Sequence, residues 1–144
     1  MGIKRALSAA AALVTVSVPV TNTGGRAGSE VVQAYVAPES TRLARPPKEL
    51  KAFAKVWLEP GETKTVDLVF DARSFAYWDP GQDDWDEIKS MSPDMFNALT
   101  PGAERRTRGW QVDAARYDVL IGRSSRDIVA SCSIEVPAEA NGRL

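Results

Sequence analysis

From Val14 the chain alternates strictly. Val14, Val16, Val18 and Val20 are separated by Thr15, Ser17, Pro19 and Thr21, and a two-residue period puts the four valines on one side of a half-buried β-strand. Pro19 has no N–H to give a neighbouring strand, which predicts a place at a sheet edge. NTGGRAG, Asn22 to Gly28, then supplies residues that tolerate positive φ and predicts a turn. In SEVVQAYVAP the period returns, with Val32, Ala34 and Val36 set against a mixed face of Val31, Gln33 and Tyr35.

RLARPPKEL follows, and its two prolines disfavour both a helix and a central strand, so it reads as an extended crossing segment. ELKAFAKVWLEPGETKTVDLVFD predicts two strands joined at Pro60-Gly61, the pair suited to the centre of a type II turn. Val66, Leu68 and Phe70 share a face of the second. SFAYWD reads as another strand. Tyr117, Val119 and Ile121 alternate, as do Ile128, Ala130, Cys132, Ile134 and Val136. About seven short strands and one helix predict an all-β antiparallel β-sandwich.

The helix falls in the one long stretch without alternation, between Asp79 and Trp110. There Ser92 is a natural N-cap, Pro93 occupies the first helical position, and Pro101-Gly102 provides a stop. A short helix over Pro93 to Leu99 would place Met95, Phe96 and Leu99 on one side. Those three side chains need an apolar cover and are candidates for docking against another domain.

Size allows one domain with its own core. The 18 basic and 19 acidic side chains leave no field directed at nucleic acid or an anionic membrane. There is no histidine, which removes the usual neutral-pH base and the commonest zinc ligand. Cys132 is the only cysteine and reads as a small core residue. No cofactor or metal is expected. MGIKR followed by ALSAAAALVTVSV imitates a signal peptide, but the alternation from Val14 favours a strand that the core needs, and a cytoplasmic location is the reading that follows. The expected organisation is a lead-in or linker remnant over 1–12, the sandwich over 13–137 with an insertion at about 80–109, and a tail over 138–144.

SFAYWDPGQDDWDE, Ser74 to Glu87, gathers aromatic rings and carboxylates, the materials of glycoside chemistry. Cleavage needs two carboxyls held rigidly across a sugar, roughly 5 Å or roughly 6.5 to 9.5 Å apart. Asp83, Asp84, Asp86 and Glu87 lie in a loop and read as a solvated charge run. Trp85 is the freer ring, so Trp85 and Asp84 are the loop candidates for substrate binding, with Trp110 as a further stacking candidate. No residue reads as catalytic. Tyr117, opening the penultimate strand, predicts a corner hydrogen bond to nearby backbone, and Ser124-Ser125-Arg126-Asp127 reads as a capped turn.

Four segments, VTNTGGRAGSEVVQAYV, RPPKELKAFAKVWLEPGETKTVDLVFD, SFAYWD and YDVLIGRSSRDI, resemble in order and spacing the C-terminal fibronectin type III-like domain of glycoside hydrolase family 3 enzymes, the β-glucosidase and β-xylosidase group. The chain departs from the family pattern twice. Asp113-Ala114-Ala115-Arg116 stands where the family has a Pro-Gly turn, and the loop after Asp79 is longer. In the family, a barrel and an α/β domain that precede this one carry catalysis, and neither fits in this chain. The Asp84-Trp85 pair is not the family's Ser-Asp-Trp nucleophile motif, because Asp83 precedes it. The resemblance implies a non-catalytic accessory domain whose partners are the catalytic domains of a parent enzyme, in the same or a separate chain. The alternatives are an independent carbohydrate-binding module, with carbohydrate as partner, and a free-standing fibronectin-like interaction module.

Overall fold

A computed structural model describes residues 2–6, 13–81, 91–99, 106, 108–137 and 142–143. Its elements in chain order are β1 (Gly2–Ala6), β2 (Leu13–Thr21), β3 (Gly28–Pro38), β4 (Glu49–Leu58), β5 (Thr63–Phe70), α1 (Ala72–Phe75), β6 (Tyr77–Asp79), α2 (Pro93–Leu99), β7 (Gly109–Val112), β8 (Arg116–Ser124), β9 (Asp127–Glu135) and β10 (Gly142–Arg143). All pairings are antiparallel. One sheet runs β1-β2-β5, the second β4-β3-β8-β9, and a small third β10-β7-β6. The seven expected strands are present. To these the structure adds β7, β1 inside the segment read as a lead-in, and β10 inside the segment read as a tail.

The alternation converts directly into a two-layer core. Val14, Val16 and Val18 pair in register with Phe70, Leu68 and Val66, and all six are buried against Val32, Ala34 and Val36 of β3 and Tyr117, Val119 and Ile121 of β8. Ile134 and the partly buried Ala130 and Cys132 extend this face along β9. Phe70, Phe75 and Tyr117 form a ring chain through the interior, with centroids 6.4 Å and 5.3 Å apart. Burial of this apolar surface is the main term holding the layers together.

β2 is the middle strand of its sheet, yet Pro19 still sits at an edge. The β1 pairing stops at Ser17, so beyond it β2 has β5 on one side and no strand on the other among the described residues. The Pro60-Gly61 turn forms as expected: Gly61 takes φ +77°, and the Glu62 N–H donates to the Glu59 carbonyl at 3.0 Å. Asn22, just after β2, ties down this turn, which carries the chain from one sheet to the other. Its backbone exchanges bonds with Gly61 and Glu62 at 2.9 Å and 3.0 Å, while its amide donates to the carbonyls of Arg26 and Leu58 at 2.8 Å and 3.2 Å.

The FAYWD segment differs from its sequence reading. It is a strand only from Tyr77, because Asp71 and Ser74 form a capping box in which Asp71 Oδ1 accepts from Ser74 N–H at 2.9 Å and Ser74 Oγ from Asp71 N–H at 3.2 Å. That box winds Ala72–Phe75 into one helical turn. Phe75 still reaches the core. The second helix lies where its cap predicts, with the Met95 N–H donating to Ser92 Oγ at 3.2 Å.

Phe70→Ala, at a fully buried ring, is expected to cost about 3–5 kcal/mol in urea denaturation. Gly61→Ala, which forces a Cβ into the left-handed region, is expected to cost about 1–2 kcal/mol.

Candidate functional site

The polar side chains gather where the crossing segment meets the start of β8. Tyr117 Oη donates to the Asp113 carbonyl at 2.9 Å, the expected corner bond. The Asp113 carboxylate then accepts from Tyr77 Oη and Arg42 Nε, both at 3.1 Å, and Arg42 Nη2 donates to Tyr77 Oη at 2.9 Å. Arg45, its side chain only 4% exposed, pairs with Glu49 at 2.7 Å and lays its guanidinium over the Tyr77 ring at 5.0 Å. Lys51 reaches the other Glu49 oxygen at 3.3 Å. Burial pushes the Glu49 carboxyl up, but Arg45 and Lys51 more than offset this and hold it below the usual range. Burial raises both the Tyr77 and the Tyr117 phenol.

A second polar knot closes the base of the β6–β7 hairpin. Asp79, 1% exposed, accepts from the Gly81 N–H at 2.8 Å and from Arg106 Nη2 at 3.2 Å. Arg106 also donates to the Gly81 carbonyl, and Arg108 Nε to that of Pro80 at 3.1 Å. Gly81 takes φ +83° to make this turn. The two ends of the long connection are thereby clamped together at Asp79.

Beside these knots lies an exposed aromatic surface. Trp78 and Trp110 are partners across β6 and β7, with rings 5.7 Å apart and inclined at 71°. The Arg73 guanidinium lies on Trp110 at 3.5 Å. Leu50, Lys51, Val69, Asp71, Arg73 and Trp110 line a groove of about 450 Å³ next to it. Leu50, Val69 and Trp78 are each about half exposed.

The sequence candidates fare unevenly. Asp83, Asp84, Trp85, Asp86 and Glu87 lie outside the described residues. Phe96 is buried, whereas Met95 and Leu99 face solvent, so the three do not present a single exposed stripe. Lys48 and Glu49, flanking the crossing segment, are tied into the structure: Lys48 Nζ donates to the Ser125 carbonyl at 2.5 Å, and Glu49 anchors Arg45. Ser124 caps its turn, accepting from the Arg126 and Asp127 N–H groups at 3.3 Å and 3.2 Å. Among the described residues no group of three or more Asp, Glu, Cys or His side chains is placed to hold a metal ion.

The family model for the fibronectin type III-like domain matches residues 30–87. Over 124 residues the chain is 40% identical to thermostable β-glucosidase B of Acetivibrio thermocellus, covering 86% of this chain and 13% of that protein. It is 36% identical over 129 residues to an exo-α-(1→6)-L-arabinopyranosidase of Bifidobacterium breve, covering 90% and 14%. Among solved structures, the GH3 β-glucosidase of Bifidobacterium adolescentis superposes with TM-score 0.66 at 36% identity, covering 94% of this chain and 16% of that one. The Kluyveromyces marxianus β-glucosidase crystallised with glucose gives 0.68 at 33% identity, covering 94% and 13%. The chain is a fibronectin type III-like domain of the glycoside hydrolase family 3 kind. It spans about an eighth to a sixth of the length of these relatives.

Within this fibronectin type III-like domain the residues that alternation did not reveal are Arg42, Arg45 and Asp113. Two of them sit in the proline-bearing crossing segment and one in a loop, so no period marked them. Their partners lie up to 71 residues away. The Trp78–Trp110 pair was equally hidden, because it depends on the β6–β7 register.

Asp79→Ala is expected to lower stability by about 3 kcal/mol, since it strips a buried pair from Arg106 and the Gly81 N–H. Tyr117→Phe is expected to cost about 1–2 kcal/mol through loss of the corner bond. The raised phenol pKa values add a pH signature. Their stabilisation is complete below the ordinary tyrosine pKa of about 10 and is lost as pH rises above it. The lowered Glu49 value works at the acid end, where its contribution is present above about pH 4.3 and is lost as pH falls below. Urea midpoints measured across pH should therefore fall at both ends, and Tyr117→Phe should flatten the alkaline limb.

Proposed function

We propose that this domain is a non-catalytic accessory part of a family 3 glycoside hydrolase of the β-glucosidase type. Its work is to pack on the catalytic domains and steady them. The domain proper covers about 13–137, with 80–109 as an insertion into the β6–β7 hairpin. The observation that carries this reading is the proportion between the chains: 94% of this chain matches only 13–16% of solved β-glucosidases. The polar groups support it. Glu49, Asp79 and Asp113 are each engaged by cations or phenols, so none is a free carboxyl pair of the kind sugar cleavage needs. A stand-alone carbohydrate module is less well supported, because Arg73 already covers one face of Trp110.

Two measurements test the proposal. The full chain is expected to release no product from aryl β-glucosides or β-xylosides, and turnover that Asp84→Asn abolishes would overturn the assignment. When this chain replaces the corresponding domain of the B. adolescentis β-glucosidase, the fusion is expected to melt above the same enzyme lacking that domain.

A further inference from the structure

Of the exposed apolar surfaces, one has the chemistry of an interface core. The Trp78–Trp110 pair, the Arg73 guanidinium lying on Trp110, and the adjoining groove bearing Leu50 and Val69 form one continuous patch. Tryptophan and arginine are the residue types that dominate interface energetics, and they do so where they cluster around a pocket. The outer face of the four-stranded sheet differs. Phe53 and Trp57 are exposed there too, but Lys55 stands between them on the same face of β4, and the Trp57 indole N–H is directed at Glu59 at 3.4 Å. Isolated rings on a solvated sheet are ordinary surface.

Arg73 identifies what the patch is built to meet. Stacking on Trp110 fixes the plane of its guanidinium, and among the described residues no carboxylate pairs with it. The neighbouring Asp71 carboxylate is engaged by the Ser74 N–H and hydroxyl, each at 2.9 Å. A guanidinium held in one plane, with no carboxylate partner among the described residues, matches an incoming carboxylate in a bidentate pair.

We propose that the Trp78–Trp110–Arg73 face is the seat of the catalytic part of the same enzyme. An acidic side chain from that part pairs with Arg73, and an apolar side chain enters the groove lined by Leu50 and Val69. This rests on the accessory reading above. The occupant follows from the relatives, whose solved chains carry some 84–87% of their length outside the region that matches this domain.

The test uses the B. adolescentis fusion and the full chain alone, each in three forms: unsubstituted, Arg73→Glu with Trp78→Ser, and Phe53→Ser with Trp57→Ser. The patch variant should lower the melting temperature of the fusion by about 3 °C or more beyond any change in the isolated chain, whereas the outer-sheet variant should lower the two alike. A patch variant without such an excess loss, or an outer-sheet variant with an equal one, would overturn the choice of face. If the patch variant does not fold as an isolated chain, Arg73→Gln, which keeps the size and removes the charge, is judged by the same criterion. An unsubstituted fusion that melts no higher than the truncated enzyme sinks the accessory reading itself, and the face with it.

Discussion

The bond from Tyr117 to the carbonyl of Asp113 is short-range in sequence and long-range in consequence. Tyr117 is fully buried, with Phe75 edge-on to its ring. By taking the Asp113 carbonyl it fixes the corner before β8, and with it the Asp113 carboxylate. That carboxylate is the point at which Arg42 and Tyr77 converge. A crossing segment without regular hydrogen bonding is thereby fastened to the end of the sandwich. The family's Pro-Gly turn is replaced here by Asp113-Ala114-Ala115-Arg116, and the corner forms nonetheless, because the tyrosine needs a carbonyl at that place rather than a particular turn residue.

Legibility in the sequence follows the range of the interaction. The six long strands, the Pro60-Gly61 turn and the Ser92 cap depend on neighbours within a few residues, and all lie where periodicity and capping chemistry predict. The start of β6 was misread for a local reason of its own: Asp71 and Ser74 form a capping box, and a capped helical turn wins over weak alternation in FAYWD. Arg42, Arg45 and Asp113 were invisible because an arginine in a proline-bearing segment gives no hint of which carboxylate or ring it will meet. The pairing of Trp78 with Trp110 was not legible because the two are separated by the long connection and meet only through strand register. The loop residues Asp84 and Trp85, prominent as composition, lie outside the described residues.

Folding and docking draw on different side chains in this domain. The core is sealed by valines, Phe70, Phe75 and Tyr117, and of the two patch tryptophans only Trp110 packs against it, while Trp78 stands half exposed. Asp79 separates the two roles further, since it closes the hairpin base with Arg106 and leaves the outward rings of the strands free. A substitution at the half-exposed Trp78 can therefore change what the domain holds with little effect on whether it holds together. That separation is what an accessory domain requires, because its own stability has to survive the exchange of one neighbouring surface for another.

The perturbed titrations point the same way. Catalytic sites are places where burial and charge move a pKa toward the working pH, so that a group can give or take a proton. Here each cited shift runs the other way. Glu49 is held lower than an ordinary carboxyl by Arg45 and Lys51, so it stays ionised at neutral pH. The Tyr77 and Tyr117 phenols, already protonated at neutrality, are pushed higher by burial. The Cys132 thiol is raised by burial and by Asp118, which suppresses its nucleophilic form. A carboxylate made more permanently charged and phenols and a thiol made more permanently neutral exchange no protons near pH 7. They serve as fixed struts that hold one charge state across the neutral range.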